Sequence, residues 1–323
     1  MTAIQLDVHQ LQERLASIDV RDVRPLSGGA SSLTYVGSMG DERVVVKVAP
    51  PGVAPLRNRD VLRQARLMRA LQQTPVPVPR VVWEDAGDPP DTPPLFVMTF
   101  AEGSSSEPLF DRDCDDDATK VAEAARNAAR TLAQVHAIEP ADLGLSAEPV
   151  VGPVAEVDRW SRLLQTVDAA LVPGWEDVAA QLRSREPAGV RIGLVHGDFR
   201  LGNLLRSGSR ITAVVDWEIW SLGDPRVDLG WFLANCDPAT YRRDTPQASW
   251  LPSLDELTET YSRTLGREVP DLRWFRALAC FKSSATWSLI VKHDRRRAEP
   301  DPAVEEVGRQ LPGLLDQARQ LLG

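Results

Sequence analysis

Cysteine and lysine are both scarce in this chain of 323 residues, which holds three of the first and four of the second. Cys114, Cys236 and Cys280 stand far apart, odd in number and without metal-clasping spacing. Neither a disulfide framework nor a thiolate metal site is expected; reduced thiols in a cytoplasmic protein are. No apolar run approaches the roughly 20 residues that cross a bilayer. Met1–Asp7 carries neither the basic nor the apolar region of a secretion signal, so a membrane or secreted location is not expected. Positive charge is in deficit as well: the net charge of −9 argues against a nucleic-acid partner, which needs a basic face. A cationic small molecule would suit that balance, although mild acidity also serves solubility alone. What is present, 43% hydrophobic and 26% charged residues, describes a globular chain long enough for two domains.

The pattern along the chain changes character near residue 102. Before it, Val8, Leu11 and Leu15 fall on one helical face. Val20–Leu26, Leu33–Ser38, Arg43–Val48 and Leu95–Phe100 read as strands. Arg59–Leu71 has helical spacing, and seven prolines between Thr74 and Pro94 exclude a helix there. Glu102-Gly103-Ser104-Ser105-Ser106 reads as a hinge. Beyond it, helices are expected over Ala118–Ile138, Val154–Val172, Trp175–Arg185, Leu254–Leu265, Leu272–Val291 and Ala303–Leu322. Two short apolar strands, Ile192–Val195 and Ile211–Val215, lie among them. The expectation is an α+β chain of two parts, 1–102 mostly antiparallel β and 103–323 mainly helical.

Chemistry concentrates around those two strands. Asp198 and Asn203 share an irregular loop, because Gly197 and Gly202 disfavour a helix. Turn-making alone would account for either residue. Asp216, however, ends an apolar strand, where a carboxylate faces desolvation unless it is paired or metal-bound. An amide and a carboxylate suit a hard cation such as Mg²⁺, which takes oxygen ligands and bridges substrate phosphates. Asp198 then remains to accept a proton. A base, a metal pair and a phosphate donor are what phosphoryl transfer requires.

His196-Gly197-Asp198-Phe199-Arg200-Leu201-Gly202-Asn203 and Val214-Val215-Asp216-Trp217-Glu218 resemble the signatures of the aminoglycoside phosphotransferase-like family of small-molecule kinases, whose fold is related to that of protein kinases. The resemblance covers nearly the whole chain. It implies a bilobal protein kinase-like fold, a small β-rich N-lobe that binds the nucleotide and a larger helical C-lobe that binds the acceptor. It further implies Asp198 as the catalytic aspartate, and Asn203 and Asp216 as Mg²⁺ ligands under the phosphates of ATP, or of GTP in its place. Arg200 stands where a protein-kinase loop carries a lysine. By that analogy it meets the γ-phosphoryl oxygens; a structural salt bridge is the alternative. His196 is expected to support the loop, and Asp228 to brace it from a helix start.

In the N-lobe the resemblance gives Lys47, a lone charge among valines, the α- and β-phosphates. Gln64 stands where the family carries the glutamate that pairs with this lysine, and Asp60, one turn earlier, is a candidate substitute. Gly28, Gly29, Ser31 and Ser32 resemble the family's nucleotide loop, and Met98, Thr99, Phe100 and Ala101 its adenine hinge. Three further features read more simply as structure. Asp113–Asp117 suits a helix N-terminus, Arg295-Arg296-Arg297 a helix end, and Trp217, Trp220 and Trp231 the core. The expected activity is transfer of a γ-phosphoryl group to a hydroxyl of a small molecule, an aminoglycoside or another hydroxyl compound. Two other readings stand beside it: a catalytically silent ATP-binding protein, and a metal-dependent phosphate-ester hydrolase built on Asp198, Asn203, Asp216 and His196.

Overall fold

The structure is a computed structural model that describes residues 6, 8–26, 33–111, 116–242 and 245–323. The chain divides into two compact units. The first comprises Met1–Ser104, Asn203–Ser207 and Ile211–Trp220, and the second Ser105–Gly202, Gly208–Arg210 and Ser221–Gly323. The expected α+β class holds: an antiparallel sheet dominates the first unit and helices the second.

In the first unit, α1 (Val8–Ala16) precedes β1 (Val20–Pro25), β2 (Leu33–Met39) and β3 (Glu42–Val48). Then come α2 (Val61–Leu71), β4 (Val81–Asp85) and β5 (Leu95–Thr99). The five strands form one sheet in the order β1-β2-β3-β5-β4. β3 is central, with Lys47 opposite Thr34 on one side and Phe96 on the other. Its β-branched run suits that place, and Val44, Val45, Val46 and Val48 are all buried. Leu11 and Leu15 of α1 join Val44, Val46, Val48, Leu95 and Val97 in one core cluster. α2 begins at Asp60, whose carboxylate accepts from the Arg63 N–H at 3.0 Å, and its buried face includes Gln64, Leu67, Met68 and Leu71.

Residues 203–207 and 211–220 belong to this unit although a hundred residues of the other precede them. The backbone gives the reason. Arg206 and Ser104 exchange N–H···O bonds of 3.0 and 3.1 Å, the Val214 N–H donates to Pro77 O at 2.8 Å, and the Thr212 hydroxyl to Glu102 O at 2.7 Å. Gly103, at φ 135°, makes the close approach possible, since a Cβ there would stand 2.7 Å from Arg206 O.

The second unit holds α3 (Ala118–Ala137), β6 (Val150–Val151), α4 (Pro153–Leu164), α5 (Trp175–Ser184) and β7 (Gly193–Val195). The ribbon of β8 (Leu204–Ser207) and β9 (Arg210–Val214) comes next in the chain and, but for Arg210, belongs to the first unit; the second resumes with β10 (Ser221–Gly223), α6 (Arg226–Cys236), α7 (Pro238–Tyr241), α8 (Leu254–Leu265), α9 (Leu272–Asp294) and α10 (Pro302–Leu322). β6, β10 and β7 make a small sheet. α9 packs against α4, α5, α6 and α10, and the main core cluster runs through Val157, Trp160, Val178, Phe275, Phe281 and Leu311.

Several expectations shift here. The helix expected over Val154–Val172 stops at Leu164, and a short 3-10 turn at Ala169–Leu171 follows. Only the resemblance, through Asp228 at a helix start, points to α6; periodicity does not mark it. All its residues from Arg226 to Cys236 are buried, so it shows no polar face and no amphipathic period. The Asp117 carboxylate accepts from the Lys120 N–H at 2.9 Å and caps α3; Asp113 and Asp115 of its acidic run lie outside the described residues. Arg295 pairs with Glu305 at 2.6 Å and Arg297 with Asp294 at 3.0 Å, so the arginine run has carboxylate partners at the end of α9. Cys236 and Cys280 are buried free thiols whose pKa burial raises; Cys114 lies outside the described residues. Among the described residues no helix is long and apolar enough to cross a membrane.

Candidate active site

The residues singled out in the sequence fall into two groups. Lys47, Gln64, Met98, Thr99, Phe100, Ala101, Asn203 and Asp216 are in the first unit, Asp198 and Arg200 in the second. Gly28, Gly29, Ser31 and Ser32 lie outside the described residues.

In the first unit the sheet delivers Lys47 to Asp216. Lys47 Nζ is 3.3 Å from Asp216 Oδ1, with the two side chains 13% and 33% exposed. Asp216 follows β9 in the left-handed region at φ 68°, unusual for a residue other than glycine and found where neighbouring structure enforces it. Its neighbours are tied down. The Val215 N–H donates to Asn203 O at 3.0 Å, the Trp217 indole to Val214 O at 3.0 Å, and the Arg63 guanidinium donates to Trp220 O at 3.0 Å while lying 3.6 Å over the Trp220 ring. Asn203 is buried.

Gln64 does not bond Lys47. It is buried, and its Nε2 has no hydrogen-bond partner among the described residues. Asp60 does not take its place either, because its carboxylate caps α2. At the hinge, Met98 is buried in β5. The Thr99 and Phe100 N–H groups donate to Arg80 O and Arg43 O at 2.9 and 3.0 Å, and Arg43 lies 3.7 Å over the Phe100 ring.

In the second unit the Asp198 loop has its polar groups assigned one by one. Asp228, fully buried in the first turn of α6, accepts from the His196 N–H at 2.6 Å and the Gly197 N–H at 2.8 Å. His136 Nε2 lies 3.3 Å from the same carboxylate. Burial alone would raise the Asp228 pKa; His136, His196 and the backbone donor outweigh it and hold the group below its ordinary value. Gly197, at φ 87°, takes the bend, and its carbonyl accepts from Lys282 of α9. The Asp198 N–H donates to His196 Nδ1 at 3.1 Å, which puts the ring proton of a neutral His196 on Nε2. The histidine thus supports the loop backbone.

The Asp198 side chain, 24% exposed, is held at both oxygens. The Trp231 indole donates to Oδ1 at 2.8 Å, and Arg200 Nε to Oδ2 at 3.3 Å. Arg200 also donates to Glu107 Oε1 at 2.7 Å. Burial lowers the Arg200 pKa, but Asp198 and Glu107 outweigh it, so the guanidinium stays charged. Its partners are carboxylates, the arrangement the sequence offered as the alternative to a phosphate contact. Glu107, itself buried, accepts from the Gly202 N–H as well. Burial raises its pKa against the pull of Arg200, and its second oxygen has no partner among the described residues.

Glu107, Trp231 and Lys282, which hold this loop, are residues that sequence reading missed. Glu107 follows a serine run and carries no signal. Trp231 was noted only as one of three tryptophans near the motif. Lys282 carried a signal, a lysine in an apolar helix of a chain almost without lysine.

The first unit thus carries a lysine–aspartate pair on a β-rich frame, and the second a braced Asp-x-Arg loop among helices. Residues 22–278 match the phosphotransferase enzyme family, APH, and the chain belongs to that family of aminoglycoside phosphotransferase-like proteins. It is 22% identical over 302 residues to mouse acyl-CoA dehydrogenase family member 10, covering 90% of this chain and 28% of that protein. To the human family member 11 it is 26% identical over 287 residues, covering 84% and 36%. The chain thus spans about a third of the length of these relatives.

Among solved structures, the fold is similar to a Ralstonia eutropha protein assigned as an aminoglycoside phosphotransferase, with TM-score 0.77, 19% identity and 98% of each chain covered. It is also similar to choline kinase LicA of Streptococcus pneumoniae, at TM-score 0.61 and 18% identity over 97% of this chain and 98% of that one. A third, aminoglycoside phosphotransferase APH(4)-Ia in ternary complex with ADP and hygromycin B, has TM-score 0.62 and 17% identity over 95% and 98%.

Proposed function

We propose that this chain transfers the γ-phosphoryl group of ATP to a hydroxyl of a small molecule, with Asp198 receiving the hydroxyl proton. The observation that carries the reading is the construction of the Asp198 loop. Asp228 and Lys282 pin its backbone, while Trp231 and Arg200 orient the carboxylate from two sides. A general base must be held within reach of the proton it takes, and this one is fixed while partly open to solvent. Arg200 acts here through Asp198, holding the carboxylate aimed.

Lys47 supports the donor half of the reading, with an ammonium for the α- and β-phosphates. The donor set of Asp216 and Asn203 fits Mg²⁺. Both offer oxygen, and a magnesium site of this kind takes one or two protein groups and leaves the rest to phosphates and water. When bound, the ion supplies charge neutralisation at the phosphates. With the Thr99 and Phe100 N–H groups engaged in the sheet, the Ala101 end of the hinge is the part that would meet the nucleobase, adenine or guanine. Gly28, Gly29, Ser31 and Ser32, which the resemblance assigns to the phosphates, lie outside the described residues.

Calorimetry with ATP and Mg²⁺, followed by ADP release over a panel of aminoglycosides, macrolides, amino alcohols and sugars, tests this reading. Nucleotide binding with ADP release on one acceptor class supports it. Gln64 favours a second reading, a chain that binds ATP without transferring phosphate, because Lys47 lacks the charged α2 partner that the family supplies. Binding without ADP release across the whole panel is what that reading requires.

A further inference from the structure

Lys282 is 4% exposed, and phosphoryl transfer as derived above uses it only as a prop. Its surroundings give it more to do. Nζ donates to Gly197 O, the carbonyl immediately before Asp198. The same ammonium stands 3.7 Å from the centroid of the Trp231 ring and 5.4 Å from that of Trp160, both within reach of a cation–π contact. Trp231 in turn donates its indole N–H to Asp198 Oδ1 at 2.8 Å. One side chain therefore touches the backbone leading into Asp198 and also the face of the ring whose edge holds the carboxylate.

The charged groups facing Lys282 are Asp198 on the loop, Glu156 and Arg159 on α4 and Asp228 on α6. Glu156 is itself buried and accepts from the Trp160 indole at 3.0 Å. Burial pulls the Lys282 pKa down to about 8, against the opposing influence of the three carboxylates. An apolar side chain of similar length would fill this space without the desolvation penalty. What the ammonium adds is its effect on Gly197 and Trp231.

We propose that Lys282 is a positioning residue for the reaction, fixing the Asp198 carboxylate through the Gly197 carbonyl and the Trp231 indole. The inference rests on the role proposed for Asp198. Its consequence is an alkaline limit. As pH rises through about 8, the amine becomes neutral, keeps a donor for Gly197 and loses its cation–π hold on Trp231, so the indole is released from Asp198.

The test follows the Trp231 indole N–H resonance in the full chain from pH 6.5 to 9.5, assigned by Trp231→Phe. In the wild type this proton is expected downfield, held by a carboxylate, and to move upfield with a midpoint near pH 8. Lys282→Met is expected upfield throughout. Lys282→Arg, which keeps its charge, is expected to stay downfield to pH 9.5. A wild-type resonance that does not move, or a Lys282→Met spectrum that coincides with the wild type at pH 7, overturns the proposal. Should Lys282→Met not fold, a Lys282→Arg resonance that titrates like the wild type overturns it equally. No acceptor or nucleotide enters the measurement. The Lys282 proposal can therefore fail while phosphotransfer stands, and phosphotransfer can fail with the indole titration intact.

Discussion

Replacing Asp228 by asparagine keeps the shape of the side chain and removes half of what it does. The carboxylate accepts two backbone N–H bonds, at 2.6 Å from His196 and 2.8 Å from Gly197, with His136 at 3.3 Å on the same group. An amide has one acceptor oxygen, so one of the two buried N–H groups must face an NH₂. A buried donor left without a partner costs about 1–3 kcal/mol, and His136 and His196 lose the anion they face. We expect Asp228→Asn to lower the unfolding free energy by roughly 2–4 kcal/mol at pH 7. The effect should depend on pH in a definite sense. The folded-state pKa of Asp228 lies below the ordinary 3.8, so its stabilisation is complete above that value and is lost as pH falls through the folded one. The gap between wild type and variant should be flat above about pH 5 and narrow below about pH 4. Denaturant unfolding followed by tryptophan fluorescence measures it. Equal midpoints at pH 7, or a gap that widens on acidification, would refute the bracing role.

Two other substitutions probe separate parts of the account. Lys47→Ala removes a charge-assisted contact worth about 1.5–3 kcal/mol, so calorimetric affinity for ATP with Mg²⁺ should fall roughly 10–100-fold; unchanged affinity would take Lys47 out of the nucleotide site. A Cβ at Gly230 would stand 2.5 Å from Phe275 O, where α6 and α9 cross. Gly230→Ala should therefore destabilise by about 1–3 kcal/mol through overpacking, and a melting temperature equal to that of the wild type would show that the helices yield.

What could be read from the sequence, and what could not, follows from how each element is stabilised. α1, α2, α3, α8 and α10 each present one apolar face, and their periodicity locates them. β3 and β5 are β-branched or apolar runs, the first ended and the second preceded by a proline pair. α6 escaped the reading by periodicity, because a helix buried on every side has no amphipathic signal, and was marked only by the resemblance at Asp228. The residues of the Asp198 loop were legible because their types and spacing are local. Of their supports, His196 and Asp228 were legible through the resemblance, and the others were not. Glu107 lies 93 residues from Arg200 and Lys282 85 from Gly197, and only tertiary packing brings them together. Asp60 shows the same limit from the other side, since its distance from Gln64 suggested a charge partner while its carboxylate was already committed to the start of α2.

The central claim, that Asp198 receives the acceptor's proton, is tested most directly by single-site loss at that carboxylate. Asp198→Asn preserves a partner for the Trp231 indole and removes the base. With the acceptor identified by ADP release, turnover should fall about 10²–10⁴-fold, with calorimetric affinity for ATP and Mg²⁺ unchanged and the fold intact by circular dichroism. Turnover within a few-fold of the wild type in a folded Asp198→Asn protein would contradict the account.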